Sequence, residues 1–222
     1  MAFWDNLPIA VPACIIEACW WAYGPMRAVP LLHEELEMTN SLNAWHAEHA
    51  YFRRLLDLLH KQVDVFHTAE RPNYQLMLDI ISYLQDYSDE VHHPREDVAY
   101  ARLAKRCPAI ELTLVRFGQE HRVIAHAGKS LLNMLHEILS GAIVPRAELE
   151  TTAATYLVYY RNHIAKEEED FVSLAAQALT AEDWEAVRSA VPEGRDPLFG
   201  DRPEERYREL RRQIVREAQS ET

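Results

Sequence analysis

The sequence predicts an all-α fold: an antiparallel up-down-up-down four-helix bundle with an N-terminal extension and a C-terminal helical tail. Three observations lead there. Glycine is scarce, six in 222 residues, which favours helices over a turn-rich β fold. Apolar residues recur at three- and four-residue steps in four long segments, the seam of helices that pack side by side. Two of those segments also carry the same short pattern, a histidine followed four residues later by a glutamate, in His92-His93-Pro94-Arg95-Glu96-Asp97 and His163-Ile164-Ala165-Lys166-Glu167-Glu168. Each is preceded by a Glu-His pair, Glu48-His49 and Glu120-His121, at separations of 43 and 42 residues between the histidines. The chain therefore reads as one helical hairpin used twice.

The length suits one sizeable core. Residues 1–37 are expected to be an N-terminal extension, 38–179 the bundle and 180–222 a helical appendage. The apolar run Leu7 to Tyr23 is interrupted by Pro8, Pro12 and Glu17, and falls short of the roughly 20 residues that span a bilayer. No positively charged segment precedes it, so a peripheral helix or a mis-assigned start is expected rather than a signal peptide. Met38-Thr39-Asn40-Ser41 would make a natural beginning, with capping residues ahead of the first periodic segment.

The first helix carries Leu42, Trp45, His49, Phe52, Leu56, Leu59 and Val63 on its seam. Arg71-Pro72-Asn73 ends the loop and starts the second, with Met77, Ile81, Leu84, Ser88, His92, Glu96, Ala99 and Leu103 along one face. Pro94 falls inside this helix, where a missing hydrogen bond costs about 3 kcal/mol, and implies either a local kink or a break. The third helix runs through Leu114, Phe117, His121, Ile124, Gly128, Leu131, Leu135 and Ile138 and stops at Gly141 to Pro145. The fourth carries Thr152, Tyr156, Tyr159, His163, Glu167, Asp170, Leu174 and Ala178. Beyond Leu179, Thr180 reads as the N-cap of a short helix. A charged helix from about Glu204 to Glu217 then presents a narrow stripe of Tyr207, Leu210 and Ile214, a possible partner surface.

Residues four apart on a helix share a face, about 5–6 Å apart at Cβ. Each His-xxx-Glu pair thus offers one neutral nitrogen and one anionic oxygen in one direction. Four seam histidines and two glutamates, His49, His92, Glu96, His121, His163 and Glu167, are candidate metal ligands, a donor set suited to two bridged iron-like ions. Two carboxylates buried without compensation would each cost on the order of several kcal/mol, and no lysine or arginine lies on these seams. Cations would supply the missing charge. His46 is an alternative to His49, and Glu168 to Glu167 if the fourth helix is rotated. His126 would need a π-bulge to reach the site. His33, His60, His67, His93 and His136 are expected at the surface or an edge, Asp97 and Glu90 behind the ligands or in solvent. Tyr159 and Tyr160 are either pocket hydrogen-bonders or core aromatics.

The net charge of −12 argues against nucleic acid and anionic membranes as partners. Three cysteines, Cys14, Cys19 and Cys107, form no disulfide framework or metal motif and suit a reducing cytoplasm.

The order His49, His92-xxx-Glu96, His121, His163-xxx-Glu167 resembles the hemerythrin-like, or HHE cation-binding, domain over roughly residues 40–178. The resemblance implies a non-haem di-iron centre in a four-helix bundle, with glutamates bridging the irons, histidines capping them, and dioxygen, nitric oxide or peroxide bound at an open position. Manganese and zinc are the alternative metals. Oxygen-carrying hemerythrins have a second histidine four residues after the one on the third helix, and here that residue is Ala125. One imidazole fewer makes sensing, redox or peroxide chemistry the expectation over reversible oxygen storage. A di-iron enzyme that consumes oxygen or peroxide or delivers iron, and a metal-free helical interaction module, are the other two readings.

Overall fold

A computed structural model describes residues 32–68, 70–191, 196–200 and 202–220. The reading of residues 1–31 as an extension lies outside them, as does the side chain of His33. Helices account for nearly all of the described chain, and no strand occurs in it. Helix α1 is Leu32–Asp64, α2 Tyr74–Tyr83, α3 His93–Arg106, α4 Glu111–Leu139, α5 Arg146–Lys166, α6 Val172–Ala178, α7 Ala181–Arg188 and α8 Arg208–Ser220. Helices α2 and α3 join through π-helical turns at Leu84–His92, and α5 and α6 through another at Glu167–Phe171, so the eight helices make four rods and a tail.

The four rods form a ring in which α1 packs on the second and fourth rods and α4 on the same two. Local chemistry sets several ends. The Asn73 side chain accepts from the Leu76 amide and caps α2. Helix α4 ends at Gly141, whose φ of +91° is a left-handed conformation that costs glycine little. The first helix starts earlier than the capping residues suggested: Thr39, Asn40 and Ser41 lie within α1, which begins at Leu32. Cap preference is worth only about 1 kcal/mol and does not stop a helix that can continue.

Pro94 neither breaks its rod nor opens it. The His93 amide donates to the Ser88 carbonyl, five residues back, and the wide turn brings Pro94 into the first turn of α3. A proline there lacks only an N–H that the widened ladder has already released.

Two apolar clusters sit along the bundle. One gathers Phe52, Leu55, Leu59, Ile80, Leu84, Leu131, Tyr156 and Ile164, and the other Trp45, Leu103, Phe117, Phe171, Val172 and Trp184. Successive rods cross these layers in opposite order: Trp45 precedes Phe52 on the first rod, and Leu84 precedes Leu103 on the second. The candidate ligands fall at the junction on every rod. The tail covers both layers. Thr180 and Asp183 form a reciprocal capping box that starts α7, whose Trp184 packs on Trp45 with ring centroids 5.3 Å apart. Tyr207, Leu210 and Ile214 are buried in the other cluster, so the bundle itself takes the apolar stripe expected on the last helix.

Candidate metal centre

His49, His92, Glu96, His121, His163 and Glu167 come from all four rods and meet at the junction of the two layers, each at most 4% exposed. Their inward atoms are close. Glu96 Oε1 lies 3.0 Å from His92 Nε2 and 3.3 Å from His49 Nε2, while Glu96 Oε2 lies 3.5 Å from His121 Nε2. Glu167 Oε2 lies 3.2 Å from His163 Nε2 and 3.5 Å from His49 Nε2, and its Oε1 3.7 Å from His121 Nε2. Each carboxylate therefore spans from the His49 side to the His121–His163 side.

Both Glu96 oxygens, Glu167 Oε2, His121 Nε2 and His163 Nε2 are buried without a hydrogen-bond partner. His49 Nε2 and His92 Nε2 face each other at 3.0 Å, where only one can donate. Leaving so many polar atoms unsatisfied at one point would be costly, each by about 1–3 kcal/mol. A cation among them removes that cost, and the donor set fits one.

The outer nitrogens show why the inner ones point inward. His49 Nδ1 donates to Glu168 at 2.6 Å, His92 Nδ1 to Glu48 at 2.5 Å, His121 Nδ1 to Asp97 at 2.9 Å and His163 Nδ1 to Glu120 at 3.1 Å. A carboxylate can only accept, so it holds the proton on Nδ1 and leaves the Nε2 lone pair for a metal, the usual arrangement behind metal-binding histidines. The four contacts close a circle. An acid on each rod orients the imidazole of the next: Glu48 that of the second rod, Asp97 the third, Glu120 the fourth and Glu168 the first.

Electrostatics carry the same imprint. Burial works against a charged His49, but Glu168, Glu96 and Glu167 raise its pKa to about 10. His121, also opposed by burial, is raised to about 9 by Asp97 and Glu96. Burial lowers His163 to about 4, with Glu120 opposing. Glu96 is held well below the usual carboxylate range by the histidines around it despite its burial, whereas burial and the Glu96 charge push Glu167 well above it. Two carboxylates this close share one favourable place for a proton.

The expected ligands converge, and the alternatives sort cleanly. His46 is exposed and reaches Glu168 with Nδ1 at 2.6 Å; His126, His60, His67 and His136 are exposed. Glu168 does not replace Glu167 but holds His49. Asp97 stands behind His121, and Glu90 is exposed. Tyr160 is buried with its hydroxyl against Ser88, while Tyr159 is about half exposed.

His93 corrects the expectation. It was expected at the surface or an edge, yet it is 4% exposed and its ring stacks on His121 at a centroid distance of 4.0 Å. Successive helical residues ordinarily diverge by about 100°. The π-helical turns ending at His92 change that register, and both histidines face the core. Five imidazoles therefore gather at this junction.

Tyr100 was also missed. Its hydroxyl donates to Glu167 Oε1. It lies one turn beyond Glu96 on the same seam, and that spacing could have found it.

Among the described residues, no helix is long and apolar enough to cross a membrane. No curated protein and no solved structure matches the chain. The hemerythrin HHE cation binding domain matches residues 40–175, a span that holds every one of the converging donors, and the chain belongs to that family.

Proposed function

We propose that this chain holds two non-haem iron ions and binds dioxygen, nitric oxide or peroxide there. One observation carries the reading: unpartnered, buried nitrogen and oxygen atoms from four rods point at one another, each imidazole backed by a carboxylate. His49 and His92 would hold one ion, His121 and His163 the other, with Glu96 and Glu167 shared between them. Mixed imidazole and carboxylate donors suit iron better than sulfur-seeking metals. Bound iron would supply a reducible centre for a diatomic ligand or peroxide.

The chain's own residues do the rest. The carboxylates of Glu96 and Glu167 offset the positive charge. Tyr100 fixes the orientation of Glu167 through its hydroxyl. Phe52 packs perpendicular to His92 at 5.0 Å and Phe117 to His163 at 5.9 Å, and with the flanking apolar layers they keep bulk water from the donors.

Metal analysis of protein purified without chelator tests the reading. Two iron ions per chain are expected, and fewer than about one metal per chain would count strongly against it. Oxygen titration separates binding from turnover: a spectral change that saturates at one equivalent marks a sensor or carrier, and continued consumption marks an enzyme.

A further inference from the structure

Three tyrosines lie end to end between the candidate centre and the tail. Tyr87 and Tyr83 stack on the second rod at a centroid distance of 5.7 Å, and Tyr207 of the tail meets Tyr83 at 5.6 Å. All three are buried, at most 6% exposed. Each phenol donates to a different carboxylate: Tyr87 to Glu48 at 2.8 Å, Tyr83 to Asp196 at 3.0 Å and Tyr207 to Asp86 at 3.1 Å. Glu48 also holds His92, and Asp86 is exposed, so the row runs from a supporting acid of the centre to solvent.

Packing alone does not ask for this. Phe52 fills the same layer with a bare ring, 6.4 Å from both Tyr83 and Tyr87. The fourth rod also carries two tyrosines four residues apart, but the Tyr156 hydroxyl is unpartnered and that of Tyr160 meets Ser88. A phenol that loses an electron becomes a strong acid, so it gives the electron up readily only where a positioned base takes its proton. Tyr83 and Asp196 suit that best. Glu48 already accepts from His92 and from Arg95, and the Arg206 guanidinium lies 4.5 Å over the Tyr207 ring, where its charge opposes loss of an electron. Asp196 takes the Leu198 and Phe199 amides on Oδ1 and the phenol on Oδ2. Burial raises its carboxyl above the ordinary value, which favours taking a proton.

We propose that Tyr83, paired with Asp196, is a one-electron redox site, and that Tyr87, Tyr83 and Tyr207 relay electrons from the protein surface to the centre. This rests on the iron and peroxide reading above. Hydrogen peroxide is the oxidant, and its conversion to two waters consumes two electrons and two protons. Each electron leaves the Tyr83 phenol as its O–H bond breaks and the proton passes from Oη to Asp196 Oδ2. A one-electron reductant from solution, entering at Tyr207, restores the phenol as the proton returns, and solvent supplies the two protons that complete water.

The full chain, loaded with iron, oxidised in air, mixed with hydrogen peroxide and frozen, tests this by electron paramagnetic resonance. A tyrosyl signal is expected. Tyr83→Phe keeps the ring and should abolish the signal with iron content unchanged. Asp196→Asn keeps an Oδ1 acceptor for the two amides but cannot take the proton, and should abolish it too. Tyr207→Phe should leave the signal in place and slow its loss to added ascorbate. A signal that survives Tyr83→Phe or Asp196→Asn, no tyrosyl signal from an iron-loaded chain, or an unchanged ascorbate rate in Tyr207→Phe would overturn the relay and leave the metal pair standing. A chain that takes up no iron removes the metal-pair reading and the relay with it. Should Tyr83→Phe fail to fold, Asp196→Asn decides.

Discussion

The two hairpins are built on one plan and part ways beside the histidine of the second rod. Both place Glu-His on the first helix and His-xxx-Glu followed by an acid on the second, and both interrupt that second rod with π-helical turns. In the first hairpin those turns end at His92, and the next residue, His93, faces the donors. In the second they begin at Glu167, after the histidine, and the residue beside His163 is Ile164, 1% exposed within an apolar cluster. The difference shows that a one-residue change in helical register decides whether the neighbour of a ligand joins the polar site or the hydrophobic layer. The supporting acids differ too. Glu48 is buried and also takes hydrogen bonds from Arg95 and Tyr87, whereas the more open Glu120 shares its carboxylate with Lys166.

The carboxylates common to both hairpins should give the largest effect. Glu96→Ala removes the oxygens that face donors of both halves, and metal content should fall from two per chain to below one by elemental analysis. The metal-free protein should respond oppositely to Glu167→Leu. That carboxyl is buried beside Glu96, and an apolar replacement of similar volume should raise unfolding stability by about 1–4 kcal/mol in denaturant titration. A loss of stability there would mean that Glu167 is well satisfied without a metal.

The supporting acids come next. Glu48→Ala and Glu120→Ala should each weaken metal binding by roughly 10–100-fold in chelator competition, with Glu48→Ala the more damaging. Equal losses would show that burial of the supporting acid is immaterial.

Ile164→His sharpens the comparison by making the hairpins match in sequence. Without the displaced helical register the new ring should lie in the apolar cluster, lower unfolding stability by about 1–3 kcal/mol and leave metal content unchanged. A gain in metal affinity would refute the register argument.

The smallest effects lie in the tail, outside both hairpins. Thr180→Ala should cost about 1 kcal/mol through the lost cap. Burial raises the Asp183 carboxyl, but the Thr180 backbone and Arg106 hold it below its ordinary value. A lowered carboxylate pKa adds stability above the unfolded value, near 3.8, and loses it as pH falls through the folded value. The destabilisation caused by Asp183→Asn should therefore be present at pH 7 and shrink below about pH 4.

Much of this was legible in the sequence because it is written in local spacing. Four-residue steps bring His92 to Glu96 and His163 to Glu167, and the seams carry His49 and His121 to the same depth. His93 was not legible, because its direction follows from a helical register that regular 3.6-residue periodicity does not contain. Two of the supporting acids, Glu48 and Glu120, were visible as Glu-His neighbours, but the imidazole each one holds belongs to another rod, 44 residues on for Glu48 and 43 for Glu120. Pairings of that kind follow from packing alone. The first helix ran past its expected start because a favourable cap is a weak stop where the chain can simply go on coiling.

The circle of acids and imidazoles has a consequence for how the centre can come into being. Glu48 to His92 and Glu120 to His163 are links inside a hairpin, while Asp97 to His121 and Glu168 to His49 are links between them. A chain severed near Cys107 would leave each fragment with one aligned imidazole and one swinging free. Neither half can rehearse the centre on its own, and the last rod to dock supplies the final two links together.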